Sequence, residues 1–118
     1  MTPGARVAAT IELLDEIVSR SLMNERGRPA DLVANAYFRS RRFIGGGDRR
    51  AVSERVWSLL RRYGQLAWWL ERTRHPAHFS GGSARAIVAA DLILVEGNNL
   101  AQLAAMFDGG RYRPPPLD

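Results

Sequence analysis

Arginine is the residue type whose clustering in this sequence indicates a chemical task. The segment 39–62 contains eight arginines and only two acids, Asp48 and Glu54. A guanidinium group can donate two parallel hydrogen bonds to a phosphate, and a dense cluster of such groups attracts a polyanion. We therefore predict a nucleic-acid site and favour RNA as the ligand. The arginines assigned to it are Arg39, Arg41, Arg42, Arg49, Arg50, Arg61 and Arg62.

The elements on either side of a glycine run would position these arginines. Helical periodicity ends near Arg42 and resumes near Asp48, and the glycines 45–47 separate the two segments. A tight turn at the glycines would bring the arginines that close one helix next to those that open the next. The N-terminus of the following helix would add exposed N–H donors to the same edge.

Two tryptophans are candidates for stacking on unpaired bases. On a helical wheel centred on Val52, Trp57 points away from the apolar face, together with Arg50 and Arg61. Trp68 and Trp69 are adjacent, so at most one of them can be presented for stacking. Trp57 and Trp68 are the predicted stacking residues, although aromatic residues at helical spacing also commonly belong to a core.

The remaining chemistry-bearing residues give little indication of catalysis or metal binding. The sequence contains no cysteine, which excludes disulfides, thiolate ligands and cysteine nucleophiles. His75 and His78 lack an evident third ligand, so we predict no metal site. Glu12 and Glu16 share a helix face that is explained as solvated surface. Asp91 lies in an apolar run and, if buried, needs a partner, for which an arginine or a helix-end N–H group is expected.

Length and charge place these residues on one domain with one basic region. The 118 residues are enough to bury a core without disulfides. Residues 20–74 carry thirteen arginines and five acids, whereas the flanking segments are slightly acidic. The N-terminal segment is interrupted by acids and fits neither a signal peptide nor a membrane span. A cytoplasmic protein is expected.

Apolar periodicity predicts an all-α fold, an irregular bundle of five to six helices. Thr2 and Pro3 would begin the first helix, and Pro29 would open a short second one with Leu32, Val33, Ala36 and Tyr37 as its apolar face. Asp48 would cap a third helix, which either continues past Gly64 with a kink or gives way to a fourth. The segment 83–97 has almost no polar face and is predicted to be the central helix. A last helix spans about 100–107. We assign residues 1–108 to the helical domain and 109–118 to a Gly/Pro-rich tail or linker.

The third helix also carries a resemblance to a known family. The order of Asp48, Arg49, Val52, Glu54, Val56, Trp57, Leu60, Arg61 and Arg62 is similar to the DR-x-x-V-x-E-x-V-Y-G-x-L-R-R signature of the N-terminal domain of RsmB/NOP-type ribosomal RNA (cytosine-5) methyltransferases, a domain related to the antitermination factor NusB. Arg6, Ala9 and Leu13 match an opening R-x-x-A-x-x-x-L helix. The WWL run and the apolar segment 84–97 follow in the same order. Ser58 stands where that family often has glycine.

The resemblance implies a NusB-like, non-catalytic RNA-binding domain. Such a domain helps the methyltransferase engage small-subunit ribosomal RNA, while a C-terminal domain holds S-adenosylmethionine and the catalytic cysteine. This sequence has no cysteine and no strand–glycine–helix unit. We therefore expect no enzymatic activity and no cofactor in this chain itself, and we expect ribosomal RNA and the methyltransferase domain as its partners.

Two other functions are compatible with the sequence. A helical protein-interaction module is the main alternative, because NusB-like domains also dock onto proteins and the segment 100–107 or the tryptophan pair could supply an apolar patch. A DNA-binding helical protein ranks third, since its third helix carries few side chains suited to reading base edges.

Overall fold

The first helix begins where the sequence supplies a cap. The computed structural model describes residues 1–22, 26–73, 83–110, 114 and 116. In it, the Thr2 side chain accepts a hydrogen bond from the Ala5 amide at 3.1 Å. Pro3 occupies the first turn, where its missing N–H costs nothing. Helix α1 covers Pro3–Ile17 and continues as a π-helical turn, Val18–Leu22. The predicted start of the first helix is confirmed.

The described residues form five α-helices and no strand, which confirms the all-α fold class. After α1 come α2 (Ala30–Ser40), α3 (Gly46–Thr73), α4 (Ser83–Leu94) and α5 (Leu100–Met106). His75 and His78 lie outside the described residues, as does the side chain of Trp69. No described helix is sufficiently long and apolar to cross a membrane.

The sequence left two possibilities for the segment beyond Gly64, a kinked continuation of the third helix or a separate fourth helix. In the structure α3 is a single helix that ends at Thr73. It runs through Gly64, and nothing approaches the position of a Cβ at that glycine, so no neighbour requires a break there. Leu66 beyond it remains buried and packs in the same cluster as Leu59. The prediction that Asp48 caps α3 is wrong. The helix begins at Gly46, so Asp48 lies within its first turn.

The core consists of two clusters, and α1 and α3 contribute to both. Cluster A is built around α4, in which every residue from 84 to 92 is buried. This burial confirms the prediction that the segment forms the central helix. Cluster B joins α1 and α3 to α2 and to Ile44 in the turn after α2. Val7 and Leu14 of α1 face cluster A, whereas Leu13 and Ile17 face cluster B. Because α1 is buried on two sides, α2 is held in a fixed position relative to α3.

The buried face of α2 is rotated from the predicted one. Leu32 is 53 % exposed and Ala36 is also exposed, whereas Val33 and Tyr37 are buried together with Ala34 and Phe38. The pairs 33/34 and 37/38 lie one turn apart, and packing Phe38 inward is favoured because its large ring removes more apolar area from water than Leu32 would. This rotation turns the stripe beginning at Asn35 toward α3.

The segment 109–118 is partly described and touches the bundle. Pro114 is buried, and its carbonyl accepts a hydrogen bond from the Gly109 amide at 2.8 Å. The Pro116 carbonyl accepts one from Arg85 at 2.7 Å. Gly109 has a φ of +73°, a conformation that favours glycine. Neither proline is in regular secondary structure; Pro114 is buried, whereas Pro116 is exposed and joined to α4 by the bond from Arg85.

Candidate nucleic-acid interface

Three of the predicted arginines come together in one open cleft. The cleft has a volume of about 370 Å³ and is lined by Asn35, Phe38, Arg39, Arg42 and Arg49. Asn35, Phe38 and Arg39 have the i, i+3, i+4 spacing that aligns side chains along one face of α2. Arg42 follows in the turn after α2. Arg49 reaches the same space from the first turns of α3. We call this site the arginine cleft.

The turn between α2 and α3 sets the distance between the two arginine groups. The Arg41 amide donates to the Phe38 carbonyl at 3.1 Å, the Ile44 amide donates to the Arg41 carbonyl at 3.1 Å, and Ile44 is buried in cluster B. The glycines at 45–47 have open space at their Cβ positions and no positive φ. The anchored Ile44, more than glycine flexibility, therefore fixes the turn.

The cleft arginines are available to an anion. Arg39, Arg42 and Arg49 are all exposed, and within the described residues none of them forms an ion pair with a carboxylate. The Arg49 guanidinium lies 5.5 Å from the centre of the Phe38 ring. Contact with a ring face orients a guanidinium and leaves its in-plane N–H groups able to donate.

The acid nearest in sequence to the cleft is already neutralised. Asp48 accepts a hydrogen bond from Arg6 Nε at 2.8 Å and another from the amino group of Met1 at 3.2 Å. These two bonds hold the pKa of the Asp48 carboxyl below its usual value. Because Asp48 is ionised and paired with α1, it does not occupy the guanidinium of Arg49 beside it.

Arg41 does not line the arginine cleft. Its guanidinium lies 3.9 Å from the centre of the Tyr37 ring and within 3.4 and 3.7 Å of the Glu12 and Glu16 carboxylates. The face shared by Glu12 and Glu16 therefore holds Arg41 against α1. Burial and the Glu12 carboxylate raise the pKa of Tyr37 above its ordinary value, so its phenol stays protonated and donates to the Ala9 carbonyl at 3.3 Å.

Arg62 forms an ion pair with Asp91, the acid that the sequence predicts to need a partner if it is buried. Its Nη2 donates to Asp91 Oδ1 at 2.6 Å and its Nη1 donates to Ser58 Oγ at 2.6 Å. Asp91 is 2 % exposed on α4. The prediction that Asp91 is paired within the structure by an arginine is confirmed. The same pairing joins α3 to α4 and leaves Arg62 little capacity to bind phosphate.

The other four predicted contact residues lie apart from the cleft. Arg50 and Arg61 are exposed on α3 and form no ion pair among the described residues. Trp57 is half-buried and packs against cluster B, so the prediction that it points away from the apolar face is wrong. The buried arc of α3 is wider than one stripe because both α1 and α4 pack against this helix. Trp68 is 55 % exposed and borders an apolar cavity with Leu94.

Two residues near the cleft were not identified from the sequence. Asn35 looked like an ordinary polar position on α2, and only the observed rotation of that helix places it in the cleft. Phe43 is 71 % exposed and follows Arg42 directly in the turn. An aromatic residue that falls outside the helical period, between two arginines and a glycine run, was the available signal.

The described residues contain no group of three potential metal ligands. No protein-family model matches the chain, and comparisons with curated proteins and with solved structures give no match either.

Proposed function

We propose that this chain is an RNA-binding domain and that the arginine cleft is its phosphate-binding site. The observation that carries the proposal is the convergence of Arg39 from α2, Arg42 from the turn and Arg49 from α3 on one open space with no carboxylate in its described lining. Guanidinium groups at a concave surface suit a phosphate oxygen array in shape and charge. A solvated face laced with ion pairs would instead have placed acids among these arginines.

The cleft narrows the set of residues proposed to contact RNA. Arg39, Arg42 and Arg49 form its centre, and the exposed Arg50, next to Arg49 on α3, would extend it along a bound strand. Arg61 lies about three turns farther along α3 and is left out of the site. Arg41 and Arg62 are held by carboxylates, so we assign them to positioning helices. Contact with the phosphate backbone would make binding strongly dependent on salt.

The resemblance to RsmB/NOP-type methyltransferases supplies a biological setting for this proposal. Most of the residues that carry the resemblance hold the fold together: Asp48 pairs with Arg6, Val52 and Val56 lie in cluster B, and Arg62 pairs with Asp91. Arg49 alone among them lines the cleft. We propose that the domain helps a cytoplasmic ribosomal RNA cytosine-5 methyltransferase engage small-subunit RNA. S-adenosylmethionine chemistry would belong to a separate catalytic domain.

Protein docking is a second candidate because a specific surface favours it. Trp68, Leu94 and Val95 are each about half exposed and border one cavity of about 300 Å³ between α3 and the end of α4. Large apolar side chains gathered at one exposed place are typical of an interaction surface. This cavity is separate from the arginine cleft, so the two functions are compatible.

A salt series with matched charge variants tests the RNA proposal. Fluorescence anisotropy of a labelled ribosomal RNA hairpin is measured with the wild type, with Arg39→Gln/Arg42→Gln and with Arg20→Gln/Arg61→Gln. Both variants lose two exposed arginines that form no ion pair among the described residues. If the cleft binds phosphate, the first variant loses about tenfold or more in affinity, and its log–log salt slope becomes shallower by about 1.4 for two single-strand contacts.

The control decides between a site and general positive charge. The Arg20/Arg61 variant should keep more than half of the wild-type affinity and its full salt slope. Equal losses of affinity in both variants would mean that RNA binding depends only on the net charge of the protein. Absence of binding by the wild type at low salt would refute the proposal and leave protein docking as the better-supported function.

A further inference from the structure

A phosphate alone does not explain the presence of Asn35 in the arginine cleft. The described lining consists of three arginines, Phe38 and Asn35. Phe38 is buried, and the Arg49 guanidinium lies over its ring. Asn35 is exposed, and its side chain forms no hydrogen bond with any described residue. The cleft therefore presents an amide that the fold does not use beside its guanidinium groups.

The amide of Asn35 offers a hydrogen-bond acceptor that a phosphate cannot satisfy. Its side chain has a carbonyl oxygen, which accepts, and an NH2 group, which donates. The oxygens of a phosphodiester only accept, so they can bond to the NH2 group but not to the carbonyl. A ligand that displaces water from the cleft must therefore supply a donor to this carbonyl, because an acceptor left without a partner weakens binding.

The charges along α2 place Asn35 at the border of the phosphate-binding region. Asp31, Asn35 and Arg39 follow one another at i, i+4 spacing, so each lies one helical turn, about 6 Å along the axis, from the next. All three are exposed, and Asp31 forms no ion pair among the described residues. The Asp31 carboxylate repels a phosphate, whereas Arg39 attracts one. A strand whose phosphate is held by Arg39 therefore presents an uncharged part of the nucleotide to Asn35.

We infer that Asn35 hydrogen-bonds the 2′-hydroxyl of a ribose whose phosphate lies in the arginine cleft, and that this contact lets the cleft distinguish RNA from DNA. The inference rests on the proposed RNA-binding function and adds the chemical group by which RNA is recognised. A 2′-hydroxyl both donates and accepts, so it satisfies the Asn35 carbonyl where a phosphate does not. It is attached to the sugar carbon next to the one that carries the 3′-phosphate, so both groups fit within one turn of α2. DNA has no hydroxyl on this carbon.

The test compares the labelled ribosomal RNA hairpin with the same hairpin synthesised with 2′-fluoro sugars. Fluorine keeps the sugar pucker of RNA but cannot donate a hydrogen bond. Anisotropy titrations use the wild type, Asn35→Ala, Gln65→Ala and Arg39→Gln/Arg42→Gln. Gln65 is the matched control because it is an exposed amide on α3 outside the arginine cleft. The wild type should bind the RNA hairpin about 3- to 10-fold more tightly than the 2′-fluoro hairpin, the effect of roughly one net hydrogen bond.

Asn35→Ala should bind both hairpins equally, with the affinity of the wild type for the 2′-fluoro hairpin. Its salt slope should equal that of the wild type because no charge is lost. Its urea midpoint should not fall, because alanine favours an exposed helical position. Gln65→Ala should keep the wild-type preference for the RNA hairpin.

Three results would overturn the assignment of Asn35: equal binding of the two hairpins by the wild type, an unchanged preference in Asn35→Ala, or a lost preference in Gln65→Ala. If the Arg39/Arg42 variant still loses affinity in any of these cases, the arginine cleft binds phosphate and the proposed function survives alone. If the wild type binds neither hairpin at low salt, the proposed function itself fails.

Discussion

Replacing Arg62 with methionine should destabilise the domain because it leaves Asp91 buried without its cation. Asp91 is 2 % exposed on α4, and Arg62 donates to it at 2.6 Å. Removing one partner of a buried ion pair costs about 3–5 kcal/mol. The side chain of Arg62 is 30 % exposed, so water reaches part of the site. We therefore expect a loss near 3 kcal/mol in the free energy of unfolding.

Urea unfolding followed by circular dichroism would measure this loss. A cost of about 3 kcal/mol lowers the midpoint by about 1–3 M for a slope of 1–3 kcal/mol/M. Arg61→Met is the matched control, because Arg61 is the exposed neighbour on the same helix and should change stability by less than about 0.5 kcal/mol. The stability of a domain is typically about 5–15 kcal/mol, so the Arg62 variant should remain folded in water.

A second substitution shows whether the cost comes from the stranded carboxylate. Asp91→Leu in the Arg62→Met background removes the buried charge and should recover most of the lost stability, since apolar replacements of buried ion pairs are often neutral or stabilising. The RNA salt slope of Arg62→Met should equal that of the wild type because this arginine is already paired. Equal stability of the Arg62 and Arg61 variants would refute the reasoning. So would a double variant as unstable as Arg62→Met.

Two further predictions follow from caps and charges at other places. The pKa of Asp48 is lower in the folded state than in the unfolded state, so its pairing with Arg6 stabilises the fold fully above the unfolded pKa of about 3.9. This stabilisation is lost as pH falls through the lower folded pKa. Asp48→Asn should therefore flatten the acid limb of a plot of urea midpoint against pH, and an unchanged limb would contradict this. The Asn99 side chain accepts from the Gln102 amide at 2.8 Å while Gln102 reaches back to the Asn99 amide, forming a capping box on the seven-residue α5. Asn99→Ala should cost about 1 kcal/mol in a thermal or urea melt, and a loss below a few tenths of a kcal/mol would show that packing alone holds α5.

Local features of the fold were predictable because they depend on neighbouring residues in the chain. The Thr2–Pro3 helix start, the burial of the largely apolar α4 and the need of Asp91 for a partner all follow from a few adjacent positions, and each was confirmed. The length of α3 was not predictable at Gly64. Glycine disfavours a helix locally, but tertiary packing of Leu59 and Leu66 on one cluster sustains it.

Only part of the composition of the arginine cleft could be predicted from the sequence. The sequence by itself determined that arginines would crowd on both sides of a turn, and it indicated a polyanion as the ligand. The tertiary structure decided which of them are available: Glu12 and Glu16 take Arg41, Asp91 takes Arg62, and the acids concerned lie far away along the chain. It also decided the rotation of α2, because burying Phe38 instead of Leu32 turns Arg39 toward the space that Arg49 lines. The turn after α2 then adds Arg42 to the same space. Periodicity specifies that a helix has an apolar face, but the choice among near-equivalent faces depends on the surface that packs against it, and that surface exists only once the chain has folded.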